Sequence, residues 1–305
     1  TTIMAAKCPK LIAPAMNTNM LENPIVQDNI RKLQSYGYEI IESASGYLAC
    51  GDTGKGKLPN EQLLVDYILK YIAAEKDMQG IKVLVTAGPT MEAIDPVRFI
   101  SNHSTGKMGY AIARQAMLRG ADVTLVTGKV AITPPEFVTV VPVTSAQDMY
   151  EAVTAASADQ DIIVKAAAVA DYKPAEVSDN KIKKSDADMS IPLTRTKDIL
   201  AFLGMQREEA RKTDGDSRLA RQIICGFSME TQNLLENSRK KLEKKKIDIV
   251  AANNLKTAGA GFGTDTNVLT LITQDEEISL PLMSKEDAAF RILDKILSLM
   301  QDSVC

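Results

Sequence analysis

From Ile81 onward, apolar positions alternate between short continuous runs and stretches at helical spacing. The runs at 81–86, 122–127, 137–141, 161–166, 222–227 and 247–251 predict buried strands, with helices between most of them. Such βαβ alternation predicts a doubly wound, mainly parallel, Rossmann-like α/β sheet. Residues 108–119 read as a helix closed by Gly120. Between Thr266 and Leu282 the pattern changes to short alternating runs, which predict an antiparallel hairpin on the sheet edge. Ser284 to Leu299 predicts an amphipathic closing helix with Ser284 as its cap. The charged stretch Glu208 to Arg221 predicts an exposed, mobile loop.

The first 75 residues read differently. Lys10 to Ala13 and Tyr38 to Ile41 predict strands, and residues 24–36 a helix that starts at Pro24 and stops at Gly37. Gly46 to Leu58 holds four glycines around Cys50 and predicts a loop, followed by a helix over 61–74. The polar stretch 76–80 is the expected linker, dividing the chain into 1–75 and 81–305. No initiator Met opens the chain, and residues 1–75 are expected to be the end of a domain that begins upstream.

Length and composition set limits. A chain of 305 residues has room for two domains. A net charge of −3 argues against nucleic acid as a partner. No apolar run reaches the length of a membrane span, and a cytoplasmic protein is expected. The four cysteines lack CxxC spacing and read as free thiols rather than a disulfide or zinc framework.

Candidate chemistry centres on residues 81–114. The strand Val83-Leu84-Val85 ends at Gly88-Pro89-Thr90, and Ser104-Thr105-Gly106 precedes a helix. Ser104 or Thr105 is expected to cap that helix, and Gly106 to let a ligand reach the backbone. The helix N-terminus, with Gly88 beside it, is the expected phosphate loop. The stretch is neither a dinucleotide fingerprint nor a P-loop, since Gly106-Lys107 is followed by Met108. Three other groups stand out. Lys165 to Pro174 takes a buried strand into a charged loop; Lys181 and Lys183 point the same way in an extended segment. Phe227 to Glu230 ends a strand before a basic helix, on which Lys241 and Lys245 share a side.

In this order, GPTMEAIDPVRFISNHSTGKMG, AAAVADYKP, KIKK and GFSMET resemble the phosphopantothenoylcysteine synthetases of coenzyme A biosynthesis. Upstream, APAMNTNM and ACGDTGKGKL resemble the C-terminal part of their usual fusion partner, the flavodoxin-like phosphopantothenoylcysteine decarboxylase. The resemblance implies a bifunctional protein that uses CTP and Mg²⁺ in one half and FMN in the other. It implies 4′-phosphopantothenate and L-cysteine as substrates, and a dimeric ligase domain. Asn102 then matches the asparagine that holds the acyl-cytidylate, and Lys181 the catalytic lysine. Lys165, Ala166, Ala167, Asp171, Lys181, Thr194, Arg195, Thr196, Lys197, Phe227, Lys241 and Lys245 fall on CTP-contacting positions, with Asp171 the candidate metal ligand. In the decarboxylase half, Asn17 matches the grip on the substrate carboxylate and Cys50 the proton donor. Leu21, Lys57 and the Arg195-Thr196-Lys197 run depart from the family pattern. Two rivals remain: a nicotinamide-dependent oxidoreductase on a similar sheet, and a non-enzymatic flavin-binding or regulatory module.

Overall fold

The computed structural model describes residues 2–49, 51–184, 188–230, 233–254, 261 and 263–302. They fall into two compact units, Thr1–Glu75 and Lys76–Cys305. The first carries α1 (Thr2–Ala5), β1 (Leu11–Ile12), α2 (Thr18–Leu21), α3 (Pro24–Ser35), β2 (Glu39–Ile40), β3 (Ala44–Tyr47), β4 (Thr53–Lys57) and α4 (Glu61–Ile72). Strands β1 and β2 pair in parallel.

The glycine-rich stretch expected as a loop is instead an antiparallel hairpin, β3 with β4. Its glycines explain why. A Cβ on Gly54 would collide with the Thr18 side chain, and one on Gly56 with the Met16 carbonyl. Without them the hairpin presses onto residues 16–18, where Met16 N–H donates to Gly56 O at 2.9 Å and the Thr18 hydroxyl to Lys55 O at 2.7 Å. Asn17, at the centre of this contact, caps α2 by accepting from Asn19 N–H at 2.9 Å. Cys50 lies outside the described residues.

The second unit is built on one eight-stranded sheet. Its strands are β5 (Lys82–Ala87), β8 (Asp122–Thr127), β9 (Thr139–Pro142), β10 (Ile162–Lys165), β13 (Ile223–Glu230), β14 (Ile249–Asn254), β15 (Thr266–Ile272) and β16 (Glu277–Ser284). Their order is β16-β15-β14-β13-β10-β5-β8-β9, and all run the same way except β15, which pairs antiparallel with β14 and with β16. Helices α5 (Lys107–Leu118) and α10 (Lys285–Asp302) pack together, and α6 (Ala146–Ser157), α7 (Ile199–Thr213) and α9 (Leu234–Lys245) form a contiguous second set. The core includes Leu84, Ile163, Ile224 and Val250 of the sheet, with Met149, Leu203 and Leu242 packed on them. Burying such side chains contributes roughly 1.5–3 kcal/mol each. The chain leaves β5 toward one edge and β10 toward the other. Their neighbouring carboxyl ends are therefore the topological switch point, where open α/β sheets hold ligands.

Three expectations are corrected. The polar loop after β5 contains a small hairpin, β6 (Met91–Ala93) with β7 (Phe99–Ser101). A second, β11 (Tyr172–Pro174) with β12 (Leu193–Arg195), follows β10. Residues 208–221 are exposed for much of their length as expected, but they are mostly helical rather than a loop: they complete α7, turn at 214–217 and form α8 (Arg218–Arg221). The charges that suggested exposure are anchored, with Arg211 Nε donating to Ala220 O at 3.0 Å and Arg218 to Asp159 O at 2.8 Å.

The segment 76–80 packs within the second unit. Met78 is fully buried, and Asp77 grips the guanidinium of Arg119 at 2.5 and 2.9 Å. Arg119 also bonds Asp294 of α10 at 2.8 Å, which ties this segment, α5 and α10 together.

Candidate active site

The cap of α5 differs from expectation, and the difference bears on the phosphate loop. Neither Ser104 nor Thr105 caps the helix; Gly106 occupies the N-cap in the left-handed region, at φ 78°, and no side chain bonds the first turn. Ser104 Oγ accepts instead from Gly106 N–H, at 3.4 Å. The absent side chain of Gly106 makes room for Val130 and Gly88, where a Cβ would lie 2.9 and 3.5 Å away. These glycines therefore serve close packing of the loop, strand end and helix start.

At the switch point the loops after β5 and β10 are bonded to one another. Thr90 N–H donates to Ala168 O at 3.2 Å, Ala170 N–H to Thr90 Oγ1 at 3.0 Å, and Ala167 N–H to Thr86 Oγ1 at 3.1 Å. Asn102 joins this frame, its Nδ2 donating to Ala168 O at 3.0 Å. The small residues Ala166 to Ala168 let the two strand ends approach this closely.

Beside the frame lies a cleft of about 560 Å³ between the end of β10, the start of α7 and one side of α9. It is lined by Lys165, Asp171, Arg195, Thr196, Lys197 and Asp198, and by Lys240, Lys241, Lys244 and Lys245 of α9. Seven cations face two carboxylates there, in a chain whose net charge is −3. Asn237, Lys241 and Lys245 recur every four residues, so they share one side of the helix. Lys241 Nζ donates to Phe227 O at 2.6 Å, and Lys245 pairs with Asp198. Burial drives the ammonium of Lys165 down to about 8. Lys241 and Lys245 push the same way, and Asp198 and Asp171 oppose them. Lys197 stacks over the Tyr150 ring at 4.6 Å.

The positions singled out in the sequence thus separate into groups. Lys165, Asp171, Arg195, Thr196, Lys197, Lys241 and Lys245 meet in the cleft, and Phe227 supplies the carbonyl that holds Lys241. Thr194 pairs with Lys173 in the hairpin that delivers Arg195. Gly88, Asn102 and Ala166–Ala168 belong to the switch-point frame. Lys181 does not line the cleft. Its neighbour Ile182 is clamped from both sides, N–H to Asp95 Oδ2 at 3.1 Å and carbonyl to Arg98 Nη1 at 3.1 Å. Asp95 is buried and also accepts from Val97 N–H, Arg98 N–H and the Arg98 guanidinium at 2.6–2.9 Å. That set of donors keeps its carboxyl below the usual range despite burial.

Sequence reasoning missed Asp198, Asn237 and Tyr172. Asp198 had a signal, an N-cap residue just before the apolar start of α7, and the 237/241/245 spacing pointed to Asn237. Cys225 is fully buried in β13, and burial pushes its thiol up to about 12, which makes it unreactive. Among the described residues no group of three or more His, Cys, Asp or Glu side chains is placed to hold a metal ion, so Asp171 forms no metal centre by itself. No helix of the described residues is long and apolar enough to cross a membrane.

Comparison with known proteins adds to this geometry. A family model described as the DNA/pantothenate metabolism flavoprotein C-terminal domain matches residues 78–300, and one described as Flavoprotein matches residues 1–73. The coenzyme A biosynthesis bifunctional protein of Bacillus subtilis (strain 168) is 45% identical over 307 residues, covering 99% of this chain and 73% of its own length. That of Vibrio vulnificus (strain YJ016) is 42% identical over 302 residues, with 98% and 72% covered. The crystal structure of the C-terminal domain of such a bifunctional protein aligns with a TM-score of 0.60 at 41% identity, over 75% of this chain and all of that one.

Proposed function

The chain belongs to the family of bifunctional coenzyme A biosynthesis proteins, and from that premise we propose that its second unit is a CTP-dependent phosphopantothenate–cysteine ligase. The observation that carries the reading is the cationic cleft at the carboxyl end of β10. A nucleoside triphosphate brings about four negative charges, and a partly desolvated ring of lysines binds such a charge far better than water does.

Joining a carboxylate to an amine requires an activated acid. In the proposed reaction a carboxylate oxygen of 4′-phosphopantothenate attacks the α-phosphorus of CTP. A P–O bond forms to give an acyl-cytidylate, and pyrophosphate leaves with the electron pair of the broken bond. The amine of cysteine then attacks the acyl carbon, the C–O bond to CMP breaks, and the amine loses a proton. In this scheme Lys165, Lys241 and Lys245 hold the triphosphate, and Lys181 neutralises charge as the first bond forms. Asn102, at the switch point, holds the acyl group. Mg²⁺ enters with the triphosphate as part of the substrate, and Asp171 faces the same cleft. Ala166 and Ala167 at the end of β10, with Phe227 on β13, fit the recognition of a cytosine edge by fixed backbone groups.

The first unit is proposed as part of the decarboxylase half, with Asn17 toward the substrate carboxylate and Cys50 as proton donor. FMN is the flavin this half would use. None of the buried side chains among the described residues of 1–75 is polar, and its parallel strands are two residues each.

Incubation with 4′-phosphopantothenate, cysteine, CTP and Mg²⁺ is expected to release pyrophosphate and yield phosphopantothenoylcysteine, with ATP slower by orders of magnitude in kcat/KM. Equal rates with ATP would remove the nucleotide assignment, and no pyrophosphate release would remove the ligase reading. The pH response follows from Lys165. A triphosphate favours its protonated form, so the charge is present below about 8 and must be acquired on binding above it. KM for CTP is therefore expected to be flat near pH 6.5 and to rise about tenfold per unit above ~8. Lys165→Gln should raise KM at low pH and erase that rise. A Lys165→Gln variant with the KM and pH profile of wild type would show that Lys165 does not meet the phosphates.

A further inference from the structure

Asp198 is a carboxylate on the wall of a cleft fitted to a polyanion, where its charge alone would oppose the ligand. Both of its oxygens are committed. One accepts from Ala201 N–H at 2.9 Å and caps α7, and the other pairs with the ammonium of Lys245. Lys245 is the last residue of α9, and its backbone is gripped by the same partner helix. Gly204 of α7 lies so close to the Lys245 carbonyl that a Cβ there would overlap it. One turn on, Arg207 donates to Lys246 O at 2.6 Å. Thus α7 and its cap meet Lys245 at both ends: Gly204 packs against its carbonyl, Arg207 bonds the next carbonyl, and Asp198 pairs with its ammonium.

A lysine on a free four-carbon stem loses rotamer freedom when a ligand fixes it. A lysine already held in place loses less, and the difference appears as affinity. On the ligase reading given above, we infer that Asp198 is a positioning residue that keeps the Lys245 ammonium in place on the cleft wall for the triphosphate. The role is distinct from the cap. Asparagine caps helices as well as aspartate does, yet cannot form the ion pair.

That distinction supplies the experiment. KM and kcat for CTP, with melting temperatures, are measured for wild type, Asp198→Asn, Asp198→Glu, Lys245→Gln and the double variant Asp198→Asn with Lys245→Gln. Asp198→Asn is expected to melt like wild type and to raise KM for CTP about five- to tenfold, within the usual range for coupled pairs. Asp198→Glu should recover part of the loss. In the Lys245→Gln background, adding Asp198→Asn should change KM by less than about twofold, because the residue acts through Lys245. If the Asn variant melts early, Asp198→Ser, which keeps a capping oxygen, takes its place. Tighter CTP binding by the Asn variant would make Asp198 a competing counter-ion, and an equal loss in both backgrounds would show that it acts independently; either result overturns the proposal. Failure of the wild type to turn over CTP would instead overturn the ligase reading itself.

Discussion

Replacing Lys181 by Gln is expected to stop the ligation before any acyl-cytidylate forms, whereas Asn102→Asp should slow it while some intermediate persists. Lys181 is assigned to the charge that develops as the carboxylate attacks phosphorus, the earlier of the two steps. Lys181 stands outside the lining of the lysine cleft, and the backbone beside it is fixed, because Ile182 is clamped between Asp95 and Arg98. Removing one such charge typically costs on the order of 10²–10³ in rate. Asn102 is assigned to the acyl group, and its amide already donates to Ala168 O at 3.0 Å. An aspartate there has no proton to give at neutral pH, faces that carbonyl with a like partial charge, and repels the phosphate of the cytidylate. Cysteine should then meet a misplaced acyl group. Mass spectrometry of quenched reactions, with and without cysteine, separates the cases. Turnover close to wild type in either variant, or cytidylate accumulating with Lys181→Gln, would show that the two roles are misassigned.

The sheet was legible because its central strands are buried on both faces and read as unbroken apolar runs, such as Val83 to Val85 and Ile162 to Val164. The hairpins were not, since strands of three to five residues over polar sequence carry too few positions for a period to show. The helical state of residues 208–221 was hidden for another reason. Charge density marked the exposure correctly, but not that Arg211 and Arg218 donate to backbone carbonyls of neighbouring elements. In the cleft, Lys241 and Lys245 were visible through helical spacing. The pairing of Lys245 with Asp198 was not, because 47 residues separate them. At Gly106 the sequence showed a glycine before a helix but not the packing that it also serves, the close approach of Val130.

The lysine side of the cleft is only as ordered as α9, and α9 is fastened at its C-terminus by Arg207. This guanidinium is 2% exposed and bonds Gln222 O at 2.8 Å, Lys246 O at 2.6 Å and the Asp248 carboxylate. It joins α7, the start of β13 and the end of α9, where Lys246 itself takes the left-handed conformation at φ 52°. Arg207→Met keeps much of the volume, yet takes the buried guanidinium from Asp248, which keeps the Ile224 N–H at 2.7 Å and the more distant Arg211, and leaves two carbonyls without their donor. Breaking a buried pair from one side typically costs about 3–5 kcal/mol. In a unit of this size each kcal/mol lowers Tm by roughly 2–4 °C, so a fall of about 6–20 °C is expected. Arg207→Lys keeps the charge without the planar fork and should fall between the two. Because the fastening lies under Lys241 and Lys245, KM for CTP should rise in step with the loss of stability, unlike in Asp198→Asn. Thermal melts and CTP kinetics on the same preparations test both halves. A Met variant melting within about 2 °C of wild type would mean that α9 is held by its apolar face alone, through Leu242 on the core.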